Sequence, residues 1–327
     1  MDWREKVVVV TGAGGFIGSH LTERVAELGA NVRAFVHYNA LGSHGWLDAS
    51  PARKNIQVFA GDIADRDSVN EAIRGADTVF HLAALIAIPY SYQAPASYVR
   101  TNIEGTLNVM QAARENGVRR VIHTSTSEVY GTARYVPIDE AHPLHGQSPY
   151  SASKIGADKI AESFFCSFDV PVVTIRPFNT YGPRQSARAV IPTIITQMLT
   201  TGHVNLGNLA PTRDLNFVAN TVDGFIAAAE SELAAGETIN LGSGREISIG
   251  DLASLIAKLA ARDIEVNADS KRLRPTGSEV DRLLADNQKA MSLLGWKPRV
   301  DLESGLAITI DWIQGHMNRY RPGTYEI

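Results

Sequence analysis

The sequence predicts a doubly wound α/β fold, a parallel sheet covered by helices on both faces, with a smaller domain formed mainly by the C-terminal part. Short β-branched runs alternate with amphipathic helical stretches through the first half, which is the pattern of βαβ units. A glycine cluster stands between the first such run and the first helix. From about Gly182 the alternation loosens, and Pro183, Pro192, Gly202, Gly207 and Pro211 punctuate shorter pieces.

Taken in order, strands are expected over 6–11, 31–36, 56–60, 78–82, 119–125 and 170–176, with helices near 16–28, 65–74, 96–116 and 149–168. The apolar run 238–241 reads as a last strand returning to the same sheet. The main domain is therefore expected to comprise 1–181 and 237–244, and the smaller one 182–236 and 245–327. The 327 residues leave ample room for both cores.

Composition narrows the function classes. Hydrophobic residues make up 44% and charged residues 20%, as in ordinary globular proteins. With 31 basic and 35 acidic residues the net charge is −4, and no basic block is present to track a nucleic acid. No apolar run approaches a membrane span, and no secretory signal opens the chain. A single cysteine, Cys166, fits a reducing, cytoplasmic setting; flanked by Phe164 and Phe165, it is expected to fill core. No metal site is assigned.

The first strand ends in Thr11-Gly12-Ala13-Gly14-Gly15-Phe16-Ile17-Gly18, and a helix follows at once. Glycines at 12, 15 and 18 allow a tight turn, close approach to a pyrophosphate and close helix packing, the requirements of a Rossmann-type dinucleotide site. Phe16 and Ile17 belong to the first helical turn of that site. The end of strand two carries His37 and Asn39 in place of the acidic residue that favours NAD, so NAD and NADP both stay open. Asp62 and Ile63 after strand three suit the edge and face of an adenine, although an Asp there also suits a helix N-cap.

Tyr150-Ser151-Ala152-Ser153-Lys154 puts a phenol and an ammonium one helical turn apart on one face. Upstream, Ser125-Thr126-Ser127-Glu128-Val129-Tyr130-Gly131 ends a strand and adds hydroxyls and a carboxylate. Lysine beside the phenol is expected to lower its pKa, as would a positive nicotinamide ring.

Together these segments resemble the extended short-chain dehydrogenases, the family of nucleotide-sugar epimerases, dehydratases and decarboxylases. The resemblance rests on Gly12-x-x-Gly15-x-x-Gly18, His81-Leu82-Ala83-Ala84, Thr101-Asn102-x-x-Gly105-Thr106, Ser125-Thr126-Ser127-Glu128, Tyr150-x-x-x-Lys154 and Arg176-Pro177-Phe178-Asn179-Thr180-Tyr181-Gly182-Pro183. It implies a Rossmann-type domain with a smaller C-terminal substrate-binding domain, a tightly bound and recycled NAD(P), and a homodimer built through the helices near 96–116 and 149–168. It further implies Tyr150 as acid/base at the sugar C4 hydroxyl, Thr126 bonded to that hydroxyl, and Lys154 on the nicotinamide ribose. Leu82, Ala83, Ala84 and Pro177 would line the cofactor. Asn179, Arg213 and Arg274 would bind the diphosphate of a nucleotide sugar, with Arg188, Ser91 and Tyr92 near the sugar. Asn220 stands where relatives often carry an acidic helix cap.

Glu128 discriminates between reactions, because a carboxylate there can remove the C5 proton acidified by a 4-keto group. That favours 4,6-dehydration over simple 4-epimerisation. Similarity is nearest to GDP-N-acetylglucosamine 4,6-dehydratases of legionaminic acid biosynthesis, through Phe35-Val36-His37-Tyr38-Asn39, Ile88-Pro89-Tyr90-Ser91-Tyr92 and Gly182-Pro183-Arg184-Gln185-Ser186-Ala187-Arg188. Ser127 replaces the Asp that dTDP-glucose dehydratases use as acid, so Ser127, a water or Glu128 must supply that proton. UDP-glucuronate decarboxylases share the Ser-Thr-Ser-Glu segment, which keeps decarboxylation as an alternative beside epimerisation. A dinucleotide-binding redox sensor, the non-enzymatic alternative, has no use for Thr126, Glu128, Tyr150 and Lys154 together.

Overall fold

The structure, a computed structural model, describes residues 2–320. In chain order the main domain runs β1 (Val7–Thr11), α1 (Phe16–Glu27), β2 (Asn31–His37), β3 (Ile56–Gly61), α2 (Arg66–Ile73) and β4 (Thr78–His81). It continues through α3 (Ile88–Gln93), α4 (Pro95–Tyr98), a π-helical turn (Val99–Glu104), α5 (Gly105–Glu115), β5 (Arg120–Thr124), α6 (Pro149–Phe168) and β6 (Val172–Pro177). After that come β7 (Asn179–Tyr181), α7 (Val190–Thr200), β8 (His203–Leu206), β9 (Thr212–Phe217), α8 (Val218–Glu230) and β10 (Thr238–Leu241). The chain closes with β11 (Glu246–Ser248), α9 (Ile249–Leu259), β12 (Glu265–Ala268), α10 (Gln288–Leu294) and α11 (Leu302–Gly315).

Seven strands form the central sheet in the order β10-β6-β5-β4-β1-β2-β3, all parallel. Helices cover both faces, so the central strands are apolar on both sides, while the edge strand β3 exposes Gln57. Val8 and Val10 belong to one core cluster while Val9 belongs to the other, as the two-residue period of a strand requires. Strand order reverses between β1 and β4, and the crevice beyond their carboxyl ends is where open α/β sheets bind ligands. Near that crevice, β7 pairs with β9 and β9 with β11, while β8 pairs with β12.

The helix near 96–116 forms as expected, with the π-turn set inside it between α4 and α5. One expectation is corrected. Cys166 is exposed, not core, because the buried stripe of α6 runs through Tyr150, Lys154, Ala157, Asp158, Ala161 and Phe164 and leaves position 166 outside it.

Candidate active site

The turn after β1 presents backbone to the start of α1. Gly12 adopts φ +69°, and a Cβ there would lie 2.8 Å from the Ala83 nitrogen. A Cβ on Gly18 would meet the Gly12 carbonyl oxygen at 2.2 Å, so only glycine lets the helix come this near the strand. Gly15 is the N-cap of α1 and brings no side-chain oxygen to the first helical N–H groups. This bare helix start, with Phe16 and Ile17 half-buried in its first turn, fits the pyrophosphate of a dinucleotide.

At the ends of β1 and β4, Thr11 and His81 stand in register. Thr11 Oγ1 accepts from the Leu82 and Ala83 N–H groups, both at 3.1 Å, so its own proton goes to His81 Nδ1 at 2.9 Å. His81 Nε2 then donates to Thr106 Oγ1 at 3.0 Å, since Thr106 gives its proton to the Asn102 carbonyl. His81 is thereby a neutral clamp on the segment that contains Leu82, Ala83 and Ala84, and burial holds its pKa well below the usual imidazole range.

The second-strand end is looser. His37 is exposed, and Asn39 spends its amide on its own loop, donating to Ser43 O at 2.7 Å and accepting from Leu41 N at 3.2 Å. Asp62 accepts from Ala64 N at 2.9 Å, but the N-cap of α2 is Asp65, which accepts from the Asp67 and Ser68 N–H groups. Ile63 is buried and packs where Gly105 leaves room for it.

Ser148 caps α6 in a reciprocal box with Ser151, and Pro149 opens its first turn, which orients Tyr150 at the helix start. Tyr150 is buried, meets Tyr98 edge-on at 6.2 Å and hydrogen-bonds with Thr126. Thr126 also accepts from Glu128 N at 3.2 Å, tying down the short turn Ser127–Tyr130. Ser127 and Glu128 are both buried, and the Glu128 charge acts on Tyr150 and on Arg213.

Lys154 does not lower the phenol as expected. Burial, with the Glu128 charge, pushes Tyr150 well above the ordinary tyrosine range, and the hydrogen bond from Thr126 offsets only part of this. The Lys154 ammonium instead donates to Thr124 O at 2.6 Å, and burial presses it down to about 8.

Farther out, Arg213 Nη2 lies 3.5 Å and Arg274 Nη1 3.8 Å from the same Glu279 oxygen, Oε1. Asn179 on β7 carries a buried Oδ1 without a hydrogen-bond partner among the described residues. Arg188 is exposed with Nε 3.4 Å from Ser186 Oγ, and its charge reaches Tyr98. Tyr92 shares a 2.6 Å hydrogen bond with Ser278 Oγ, whereas Ser91 is fully buried and donates to Ile88 O at 2.7 Å. Pro177 ends β6, buried.

Residues 9–309 match the family described as GDP-mannose 4,6 dehydratase. The chain belongs to that family. It is an enzyme of the nucleotide-sugar dehydratase and epimerase group, on the short-chain dehydrogenase/reductase fold. It is 32% identical over 312 residues to a UDP-glucose 4-epimerase of Mycolicibacterium smegmatis, covering 94% of this chain and 98% of that one. A dTDP-glucose 4,6-dehydratase of Streptomyces antibioticus is 32% identical over 323 residues, covering 96% and 94%. The solved dTDP-glucose 4,6-dehydratase of Streptomyces venezuelae, with NAD bound, superposes with a TM-score of 0.88 at 29% identity, covering 96% and 99%.

For this GDP-mannose 4,6 dehydratase family member, two carboxylates of the site escaped the sequence reading. Asp158 stands four residues after Lys154, a helical spacing that signals a shared face. Glu279 meets Arg213 across 66 residues, and no local pattern reports such a contact.

Proposed function

We propose that this enzyme is an NAD(P)-dependent 4,6-dehydratase that converts an NDP-N-acetylhexosamine into its 4-keto-6-deoxy form. The observation that carries the reading is Glu128, a buried carboxylate two residues from Thr126 and near enough to Tyr150 and Arg213 for its charge to act on both. Epimerisation at C4 has no need of such a base. The chemistry that bound NAD(P) would supply is reversible hydride transfer, from C4 and back to C6, which would leave it recycled in each turnover.

The chain's own groups do the rest. Tyr150 removes the C4 hydroxyl proton while Thr126 bonds the same oxygen, and Lys154 holds the cofactor ribose. Glu128 removes the C5 proton made acidic by the C4 ketone, and the C6 hydroxyl leaves as water, its proton coming from Ser127, a water or Glu128 itself. Gly12, Gly15, Phe16, Ile17, Gly18, His37, Asn39, Asp62, Ile63, Leu82, Ala83, Ala84 and Pro177 form the cofactor site. Asn179, Arg213 and Arg274 take the diphosphate, whose oxygens suit paired guanidinium forks; Arg188, Ser91 and Tyr92 complete the sugar side. The N-acetylhexosamine rests on the similarity of 35–39, 88–92 and 182–188 to dehydratases of that substrate class. A homodimer completes the reading, with exposed Val99 and Phe168 offering apolar surface.

The relative named as a UDP-glucose 4-epimerase supports a second reading, since Thr126, Tyr150 and Lys154 suffice for that reaction. Glu128→Gln separates the two. With GDP- and UDP-N-acetylglucosamine as trial substrates, a dehydratase variant should accumulate reduced-cofactor absorbance, release little dehydrated product and take up little solvent deuterium at C5. Full dehydration by the folded variant, or a native product of unchanged mass and inverted C4, overturns the proposal.

A further inference from the structure

One helical turn beyond Lys154, α6 buries a second ionisable group. Asp158 accepts from Ser125 Oγ at 2.7 Å and from Arg176 Nε and Nη2 at 3.3 and 3.1 Å, all on Oδ2, while His123 Nε2 lies 3.1 Å from Oδ1. These partners come from β5, its C-terminal extension and β6, so the carboxylate is fixed between the helix and the sheet. Arg176 is anchored in turn: its Nη1 donates to Tyr130 Oη at 3.0 Å, and Tyr130 donates to Asn240 Oδ1 at 2.7 Å. None of this serves the proton transfers assigned to Thr126, Glu128 and Tyr150.

Lys154 carries the complementary problem. Its ammonium is buried and its hydrogen bond goes to a neutral carbonyl, Thr124 O. A buried cation loses its proton unless a fixed negative charge lies near. We propose that Asp158, buried one helical turn from Lys154 on the same face of α6, is a positioning residue for the reaction that keeps the Lys154 ammonium charged, while Arg176, Ser125 and His123 hold that carboxylate in place.

The charges around the pair agree with this role. Burial works against the Asp158 anion, but His123, Arg176 and Lys154 together hold its pKa below the usual carboxylate range. His123, tilted against His81 with ring centres 5.7 Å apart, is pushed down by burial, as His81 is, so neither ring adds a cation. Burial also lowers Lys154, and the charge that opposes this is Asp158. Tyr150, on the preceding turn, stays neutral because burial raises it, and Tyr130 behaves likewise, pushed up to about 12. Glu140 reaches the network at its far edge, where its Oε1 accepts from Asn240 N at 2.7 Å. A cavity of about 260 Å³ between α6, β6 and β10 has Asp158, Arg176 and Glu140 in its lining.

The inference rests on reading Lys154 as the ribose ligand, yet its test reads Lys154 itself and no product. Lysine ¹³Cε resonances of the full chain, titrated without and with NAD+, report the protonation of each amine, and loss of one resonance in Lys154→Arg assigns the signal. In the native chain that resonance should titrate near 8, apart from the exposed lysines. Asp158→Asn, nearly isosteric, should move the midpoint down by about one pH unit or more and weaken NAD+ binding at pH 8 about fivefold or more. Arg176→Gln removes the cation that competes for Asp158, and should move the midpoint up; it decides the matter if Asp158→Asn does not fold. An unchanged midpoint in folded Asp158→Asn, or a downward shift in Arg176→Gln, overturns the proposal. Failure of the dehydratase reading alone leaves these shifts in place.

Discussion

Tyr150 and Lys154 share one face of α6, and burial drives them in opposite directions, the phenol up and the ammonium down to about 8. The phenol therefore rests protonated, and its use as a base depends on charge that arrives with the ligands. Tyr150→Phe removes that hydroxyl and its bond to Thr126 while keeping the ring against Tyr98. Turnover should fall by about a hundredfold to ten-thousandfold with the circular dichroism spectrum retained. Lys154 makes a second prediction at this scale. In the unfolded chain its pKa is ordinary, so between about pH 8 and about pH 10 the unfolded state binds the extra proton. Stability from this group therefore rises with pH across that window and is lowest below about 8, where the buried charge is fully present. Denaturant melts of native and Lys154→Met protein should show that rise in the first and a flatter profile in the second. The Tyr150–Lys154 pair was legible because four-residue spacing survives in sequence. Asp158 repeats the same spacing and was readable in principle, but its partners come from two strands, and only packing reveals that it is buried.

Elements were legible where one period governs them. The central strands of the main sheet are buried on both sides and so stand out as apolar runs, as does β10, although it follows the segment that contains α7 and α8. The π-turn was not legible, since it depends on tertiary contacts. Its Asn102 donates to Leu85 O at 3.0 Å and to Ser153 Oγ at 2.9 Å while accepting from Leu85 N at 2.9 Å, joining the segment after β4 to α6. Asn220 stands in place of an acidic helix cap, and the structure gives it different work. Inside the first turn of α8, it accepts from the Arg299 and Val300 N–H groups at 2.9 and 3.0 Å and donates to Val300 O at 2.9 Å. Trp296 Nε1 donates to its carbonyl at 2.9 Å. The residue thus splices the approach to α11 onto α8. Asn220→Ala removes the acceptor of two part-buried N–H groups and should cost about 1–3 kcal/mol, read as a lower denaturation midpoint with KM for the sugar nucleotide unchanged.

At the scale of the molecule, distant parts of the chain converge on the glycine turn. The Trp46 N–H donates to Gly14 O at 3.0 Å, and Cβ atoms on Gly14 or Gly45 would collide with the facing backbone. Trp46 in turn meets Trp312 of α11 edge-on at 5.4 Å, and the Arg319 guanidinium lies 5.5 Å from its ring centre. Arg184 bonds Ser19 Oγ and pairs with Glu23 on α1, so the segment after β7 also grips the cofactor helix. These couplings lay outside the sequence reading because residues 46 and 312 share no motif or spacing. Trp312→Ala removes about 0.5–1.5 kcal/mol of ring contact, and dinucleotide affinity should weaken about two- to tenfold while kcat at saturation holds. Trp46 fluorescence on NAD+ addition is the measure.

The brace between Trp46 and Trp312 also orders events during synthesis. A nascent chain can pair β1 with β2 long before β10 exists to close the far edge of the sheet, and α11 emerges later still. Until then the loop over Gly14 lacks the Trp312 ring on its outer side, so a ribosome-bound chain arrested near residue 300 should leave that loop more open to protease and hold NAD+ less well. Release of the last helix would then do for the dinucleotide site what a keystone does for an arch, converting a half-built crevice into one that retains its ligand.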